Sequence, residues 1–173
     1  MNEVIKNMEE RRSVRGYKPD MIRKEDLDMI IEAGTYAATG MGMQSPIIVA
    51  VTDKATRDQL SAMNAKIMGT DTDPFYGAPA MLIVLAKKDW YNAKYDGALV
   101  MGNLMLAAHE LGLGSCWINR AREEFETDWG RNLLNSLGIK EEYEGVGHCA
   151  IGYIDGEYPK APKIKEGRVY YML

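Results

Sequence analysis

Apolar side chains recur along the chain with two spacings, one typical of helices and one typical of strands. The helical spacing of three and four residues is clear in the second helix, at Leu27, Ile30 and Ile31. The unbroken apolar run at residues 80–86 instead indicates a central strand that is buried on both faces. Helices are therefore predicted over residues 3–10, 23–38, 53–68, 91–111 and 123–137, and strands over 47–52, 80–86, 112–118 (after a helix stop) and 145–153.

Two segments suggest contact with a second chain. The helix at 91–111 is apolar nearly all round between Leu99 and Ala108, so it should be surrounded by protein, and in so short a chain we expect a subunit interface. Residues 159–173 are rich in proline and lysine and close with a strand signal at 168–172. An extended arm that adds a strand to another chain would explain both halves of that segment.

Composition narrows the class of protein. The chain has 173 residues, 46% of them hydrophobic, which predicts one domain over residues 1–173. The net charge of −4 does not fit a binder of duplex nucleic acid, which carries a whole basic face.

No metal-ligand spacing surrounds Cys116 or Cys149, so no metal site is predicted. We expect reduced, buried thiols in a cytoplasmic protein, with one disulfide as the alternative. Neither a membrane span nor an export signal is predicted.

A basic cluster follows the first helix. Arg11, Arg12 and Arg15, with the hydroxyl of Ser13, lie within five residues. Planar guanidiniums and a short hydroxyl can together surround a phosphate or a carboxylated ring. In an extended stretch Arg11, Ser13 and Arg15 project to one side, whereas Arg12 and Val14 project to the other. An extended cluster would thus make an anion site; the alternative is a solvated basic run.

The loop at residues 37–46, with the sequence AATGMGMQSP, is a second candidate. Its glycines permit close backbone approach, its methionines give adaptable apolar contact, and the amide of Gln44 both donates and accepts hydrogen bonds. This mixture suits a flat heteroaromatic ligand, and a flexible connector is the alternative. In the loop at 69–79, Phe75 and Tyr76 fit either a substrate mouth or core packing.

Histidine and cysteine offer no obvious catalytic pair. His148 lies in an apolar strand, where a structural role is favoured over ligand contact. Its neighbour Cys149 should point to the opposite face of that strand, so the two side chains cannot act together. Hydrolase chemistry therefore has no recognisable nucleophile and base.

Taken in order, these segments resemble the FMN-dependent nitroreductase family. The resemblance rests on the RRSVRGY cluster, the GMGMQSP loop, the helix end AAHELGLGSCWI, the VGHCAIGY strand and the basic tail before RVYYM, and it covers essentially the whole chain. It implies an α+β fold with a mostly antiparallel central sheet wrapped by helices. It also implies a homodimer that exchanges C-terminal strands and holds FMN at its interface.

The resemblance also assigns cofactor-binding residues. Arg11, Arg12, Ser13 and Arg15 would hold the ribityl-phosphate and the pyrimidine edge of the flavin. The other subunit would contribute Thr39, Gly40, Met41, Gly42, Gln44 and Ser45. The backbone of Trp117, Ile118 and Asn119 would face flavin N5, and Asn64 is available for a polar contact. One of Lys163, Lys165 and Arg168 would be a second residue that binds the phosphate.

The implied activity is that of an NAD(P)H-dependent FMN oxidoreductase. A hydride would pass from NADH or NADPH through flavin N5 to an electron-poor acceptor such as a nitroaromatic or a quinone. The chemistry resides in the cofactor, so no catalytic side chain is predicted. Two alternatives are a flavin-binding carrier or sensor without turnover, and an RNA-binding module that uses the basic cluster. The expected partners are a second copy of the chain and a small acceptor, without nucleic acid or membrane.

Overall fold

The computed structural model describes residues 2–173 and places four strands in one antiparallel sheet. The strands are β1 (Ile47–Val51), β2 (Ala80–Lys87), β3 (Gly114–Ile118) and β4 (Tyr143–Gly152), in the order β1-β2-β4-β3. The helices around them are α1 (Glu3–Glu10), α2 (Lys24–Thr35), α3 (Lys54–Met68), α4 (Ala93–Glu110), α5 (Ala121–Phe125) and α6 (Asp128–Ser136). The predicted α+β architecture with a central antiparallel sheet is confirmed.

Strand β2 lies inside the sheet and is buried on both faces, as its unbroken apolar run predicts. Met81 and its same-face neighbours pack with Leu60 of α3 and Phe125 of α5. Leu82, on the opposite face, packs with Leu104 of α4 and other residues of α2 and α4. Helices therefore cover both faces of the sheet, because a strand without polar positions has no face to offer to water.

The predicted single helix at 123–137 is wrong, since the structure divides it into α5 and α6. Thr127 caps the start of α6: its hydroxyl donates to the carbonyl of Glu124 at 2.6 Å and accepts from the amide of Gly130 at 3.3 Å. A threonine at this position satisfies amides that a helix start leaves unpaired. Apolar spacing continues across the break because Phe125 and Leu134 face the same core, so periodicity alone does not reveal it.

Helix α2 also ends earlier than predicted, at Thr35 rather than at residue 38. The amides of Tyr36 and Ala37 bond to carbonyls three residues back, which tightens the last turn and closes the helix. Asn2 caps the start of α1, its side chain accepting from the amide of Val4 at 2.9 Å.

The two cysteines lie on opposite faces of the sheet. Cys116 on β3 packs in the layer of Phe125, whereas Cys149 on β4 packs in the layer of Leu104. Both thiols are buried and free, so the alternative of a disulfide between them is excluded by the pleat of the two strands. Burial raises the pKa of Cys149 to about 12 and also raises the pKa of Cys116.

We expect neither thiol to react with a disulfide reagent such as Ellman's reagent at pH 8 in the folded protein. The thiolate is the reactive form, and burial disfavours it at both positions. Release of thionitrobenzoate should therefore begin only on adding urea and then reach both equivalents. Rapid reaction of one equivalent in buffer would show that β3 and β4 open readily.

Several apolar surfaces of the single chain remain exposed. Helix α1 has no buried residue, and its Val4, Ile5 and Met8 are 50–62% exposed. From residue 160 to the end, the chain is exposed and has no regular secondary structure. Within residues 2–173, no helix combines the length and apolar character that crossing a membrane requires.

Candidate functional site

The basic cluster is extended, as predicted, and is fastened beside β3. Arg11 ends α1 with φ −56° and ψ 134°, and the chain then runs alongside the strand. Ser13 forms a parallel bridge with Ser115, and the amide of Val14 donates to the carbonyl of Ser115 at 3.0 Å. Val14 is buried in the core, which fixes the direction in which its neighbours project.

Four members of the cluster line one cavity of about 790 Å³: Arg11, Arg12, Ser13 and Arg15. Its opposite wall is the start of the C-terminal arm, at residues 159–162 and Ile164. The volume lies in the range of small-molecule and cofactor sites. Arg12 reaches this cavity although strand alternation predicts the opposite side, because its guanidinium folds back onto the carbonyls of Glu9 and Arg11 at 2.6 and 2.7 Å.

The cavity carries an excess of positive charge, because Arg11, Arg12, Arg15 and Lys160 line it together with the carboxylate of Glu9. Among residues 2–173, no carboxylate lies within ion-pair distance of Arg11, Arg12 or Arg15. Nη1 of Arg11 and Nε of Arg12 are buried without a hydrogen-bond partner in the described chain. A buried donor without an acceptor is costly, and an anionic oxygen in the cavity would relieve that cost.

Lys160 is the basic residue of the arm that lines this cavity, and sequence reasoning did not select it. The three predicted candidates, Lys163, Lys165 and Arg168, are exposed further along the arm and do not line it. Lys160 reaches the cavity because it lies two residues after Tyr158, whose hydroxyl accepts a hydrogen bond from the amide of Arg12 in the basic cluster. A pattern of scattered lysines in a tail does not contain that information.

The predicted loop at 37–46 contains the short 3₁₀ turn Gly40–Gly42, and its site residues at 39–44 are tied to α4. The amide of Gly40 donates to the carboxylate of Asp96 at 2.8 Å. The amide of Gln44 donates to the hydroxyl of Thr39 at 3.0 Å, and Met41 is 83% exposed. Three of its residues have left-handed backbone, namely Met41, Gly42 and Gln44. Within the described chain, no hydrogen bond joins this loop to the basic cluster, and the loop does not line the cavity of about 790 Å³.

The segment Trp117–Asn119 lies at the end of β3, the strand that holds the basic cluster. Ile118 is buried, Asn119 is exposed, and the indole nitrogen of Trp117 is buried without a partner among residues 2–173. Arg120, which follows, has a left-handed backbone at φ 79°. Such a conformation in a residue with a side chain needs support from its surroundings.

Asn64 supplies that support through hydrogen bonds within the chain, and its predicted contact with the cofactor stays a prediction. Asn64 is fully buried, and its amide nitrogen donates to the carbonyl of Asn119 at 2.9 Å and to Glu124 at 2.7 Å. Its amide oxygen accepts from Nε of Arg120 at 2.8 Å. Both of its donors are thus used within the chain, and Asn64 orients the segment that follows β3.

The buried network continues to His148, whose predicted structural role is confirmed. Nε2 of His148 lies 2.5 Å from the second oxygen of Glu124, and both residues are fully buried. The imidazole packs against the edge of Phe75 with ring centroids 5.2 Å apart. Both carboxylate oxygens of Glu124 thus have a hydrogen-bond partner, which offsets the free-energy cost of burying this polar group.

The two aromatic residues of the 69–79 loop have different roles. Phe75 is fully buried in the core, whereas Tyr76 is exposed, and the guanidinium of Arg15 lies 6.0 Å from its ring centroid. The carboxylate of Asp73 holds this turn, accepting from the hydroxyl of Ser61 at 2.6 Å and from backbone amides of the turn. Tyr76 is therefore placed at the rim of the basic cluster.

Comparison with known proteins gives one consistent result. The sequence profile of the nitroreductase family matches residues 8–71 and 68–153. A nitroreductase with bound FMN from Bacteroides fragilis is 31% identical, with a TM-score of 0.90 over 99% of this chain and 100% of that one. An FMN reductase [NAD(P)H] from Bacillus subtilis is 28% identical over 99% of this chain and 74% of its own length. The fold also matches a nitroreductase from Desulfitobacterium hafniense that is 24% identical, with a TM-score of 0.88 over 99% of both chains.

The match of fold covers 99% of the chain, and the residues matched by the sequence profile include those of the basic cluster. The chain belongs to the nitroreductase family.

Proposed function

We propose that this protein is an FMN-dependent oxidoreductase that passes a hydride from NADH or NADPH to a small electron-poor acceptor, such as a nitroaromatic or a quinone. The observation that carries the proposal is the cavity of about 790 Å³ lined by three arginines without a carboxylate partner in the described chain. Relatives named as FMN reductases and a structure with bound FMN support the choice of cofactor.

The residues of the cavity fit the charged parts of FMN. Arg11 has a buried donor in need of an acceptor, and Ser13 and Lys160 line the same space, so these three suit the phosphate. Arg15, held beside Tyr76, suits the carbonyl-rich edge of the ring system. The backbone after β3, kept in place by Asn64, is the candidate for contacting the reacting part of the ring.

A second copy of the chain completes the proposed site. The loop at 39–44 stands apart from the basic cluster in one chain, and it exposes Met41 and Met43. Helix α1 and the arm at residues 159–173 are also exposed. A homodimer in which the loop reaches the partner's cluster and the arm adds a strand to the partner would cover these surfaces. Two buried free thiols are compatible with the reducing cytoplasm.

Bound FMN supplies the hydride-accepting centre, and the chain's own residues bind and orient it. Positive charge from Arg11 and Arg15 favours electron uptake by a neighbouring ring system. The packed His148–Glu124 pair is fully buried and away from solvent, so it is not available as an acid or base for substrate. Positioning and electrostatics are therefore the contribution of the protein.

An absorption spectrum tests this function directly. The purified protein should show flavin bands between about 300 and 550 nm, and the visible band should bleach on anaerobic addition of NADH or NADPH and return with a quinone or nitroaromatic. A colourless protein that gains no thermal stability from added FMN would contradict the proposal, since ligand in excess stabilises the folded state. Bound flavin that neither nucleotide bleaches would instead favour a carrier or sensor.

A further inference from the structure

The C-terminal arm is anchored to the basic cluster through one side chain, Tyr158. Its hydroxyl oxygen lies 2.8 Å from the amide nitrogen of Arg12, 3.1 Å from the carbonyl oxygen of Glu10 and 3.2 Å from Nδ1 of His109. The rings of Tyr158 and His109 are stacked, with centroids 5.7 Å apart and planes 16° from parallel. Tyr158 thus joins the end of α1, the basic cluster and the end of α4.

These three bonds match the capacity of a phenol. A tyrosine hydroxyl donates one hydrogen bond and accepts two. The amide of Arg12 can only donate and the carbonyl of Glu10 can only accept, so Tyr158 donates to Glu10 and accepts from Arg12. The remaining acceptor position faces His109, whose Nδ1 therefore carries a proton and donates. Burial lowers the pKa of His109, so the ring is neutral near neutral pH, and its Nδ1–H donates to the hydroxyl of Tyr158.

Beyond Tyr158 the described part of the arm has no further polar contact with the body of the chain. Among residues 159–173, the described structure contains no hydrogen bond or ion pair to the rest of the protein. Yet Pro159 and Ala161 separate the cavity of about 790 Å³ from a neighbouring one of about 420 Å³, and both residues line both cavities. The place of Lys160 in the larger cavity therefore depends on the anchor two residues earlier.

We propose that Tyr158 is a positioning residue that holds Lys160 and the arm against the basic cluster, and that it thereby sets the preference of the site for a phosphorylated flavin. This inference rests on the proposed function, because it concerns the phosphate end of the same cavity. Tyr158 acts through the arm, and its hydroxyl already has three partners within the chain.

The test compares FMN with riboflavin, which lacks the phosphate, by calorimetric titration of the apoprotein. Tyr158→Phe keeps the ring that stacks on His109 and removes the hydroxyl. The variant should bind FMN roughly tenfold more weakly than the parent protein, the scale of one lost net hydrogen bond, with unchanged affinity for riboflavin. Tyr143→Phe is the matched control, since it also removes a hydroxyl hydrogen bond, to Glu141 at 3.1 Å, at the far end of β4.

A double variant checks that Tyr158 and Lys160 act together. Lys160→Ala alone should also weaken FMN binding and spare riboflavin, and adding Tyr158→Phe should then cost little more, because both changes remove the same contact. Trypsin should cut after Lys160 and Lys163 faster in Tyr158→Phe than in the parent or the Tyr143→Phe protein.

The outcomes separate the two proposals. If the parent protein binds FMN no more tightly than riboflavin, the proposed phosphate site is wrong, and the proposed role of Tyr158 is refuted as well. If the parent prefers FMN and Tyr158→Phe keeps the full preference, the proposed function stands and the anchoring role is refuted. Equal weakening of FMN and riboflavin in Tyr158→Phe would also refute it, because it would indicate general damage to the fold.

Discussion

Replacing Arg11 and Arg15 together by alanine should weaken FMN binding by about a thousandfold, so that the protein purifies colourless. Each charge-assisted hydrogen bond contributes roughly 1.5–3 kcal/mol, and every 1.4 kcal/mol is about a factor of ten in affinity. Arg11 has a buried donor without a partner in the described chain, and Arg15 lines the same cavity. Fluorescence titration of the apoprotein with FMN measures the loss.

The matched control removes two positive charges elsewhere. Lys24 pairs with Asp28 on α2, and Arg131 pairs with Asp128 on α6. The Lys24→Ala/Arg131→Ala protein has the same net charge as the site variant, and we expect it to purify yellow. If Arg11→Ala/Arg15→Ala also purifies yellow with unchanged affinity, these arginines do not form the cofactor site. Equal losses in both variants would indicate an effect of net charge alone.

The second large effect is expected for stability. Glu124→Ala should lower the free energy of unfolding by about 3–5 kcal/mol, the scale of breaking a buried pair. The change leaves Nε2 of His148 and a donor of Asn64 without this hydrogen-bond partner inside the protein, and it opens a void. Urea denaturation followed by circular dichroism, at one fixed protein concentration, gives the difference.

Two further variants identify the network as the cause. Glu124→Ala combined with His148→Ala should cost less than the sum of the single changes, because the orphaned partner is also removed. Glu141→Ala is the surface control: its pair with Lys87 is partly exposed, so we expect a loss below about 1 kcal/mol. A loss of that size for Glu124→Ala would mean that the buried network contributes little to stability.

Elements with a strong local pattern were predictable, and elements that end at a side-chain contact were not. The unbroken apolar run of β2 indicates a strand buried on both faces, since burial on two sides needs apolar side chains at every position. The end of α5 depends instead on the bonds of Thr127, within a stretch whose apolar spacing continues unchanged. Periodicity records which face is buried, and it is insensitive to a cap inside an otherwise regular pattern.

The residues of the candidate site show the same distinction between local pattern and distant contact. The basic cluster was predictable as an anion site because Arg11, Ser13 and Arg15 share one side of an extended stretch, a property of local geometry. The buried role of Asn64 and the cavity position of Lys160 were not, since both depend on residues more than fifty positions away along the chain.

The sequence by itself determined the identity of the main elements, the extended basic cluster and the family resemblance, because these depend on residue type and on spacing over a few positions. Only the tertiary structure decided which polar groups meet. It brings Asn64 to Glu124, and it brings Tyr158 to Arg12 across 146 positions of sequence. Hydrogen bonds act over about 3 Å, so their partners are set by how the sheet, helices and arm pack together, and local sequence does not encode that packing.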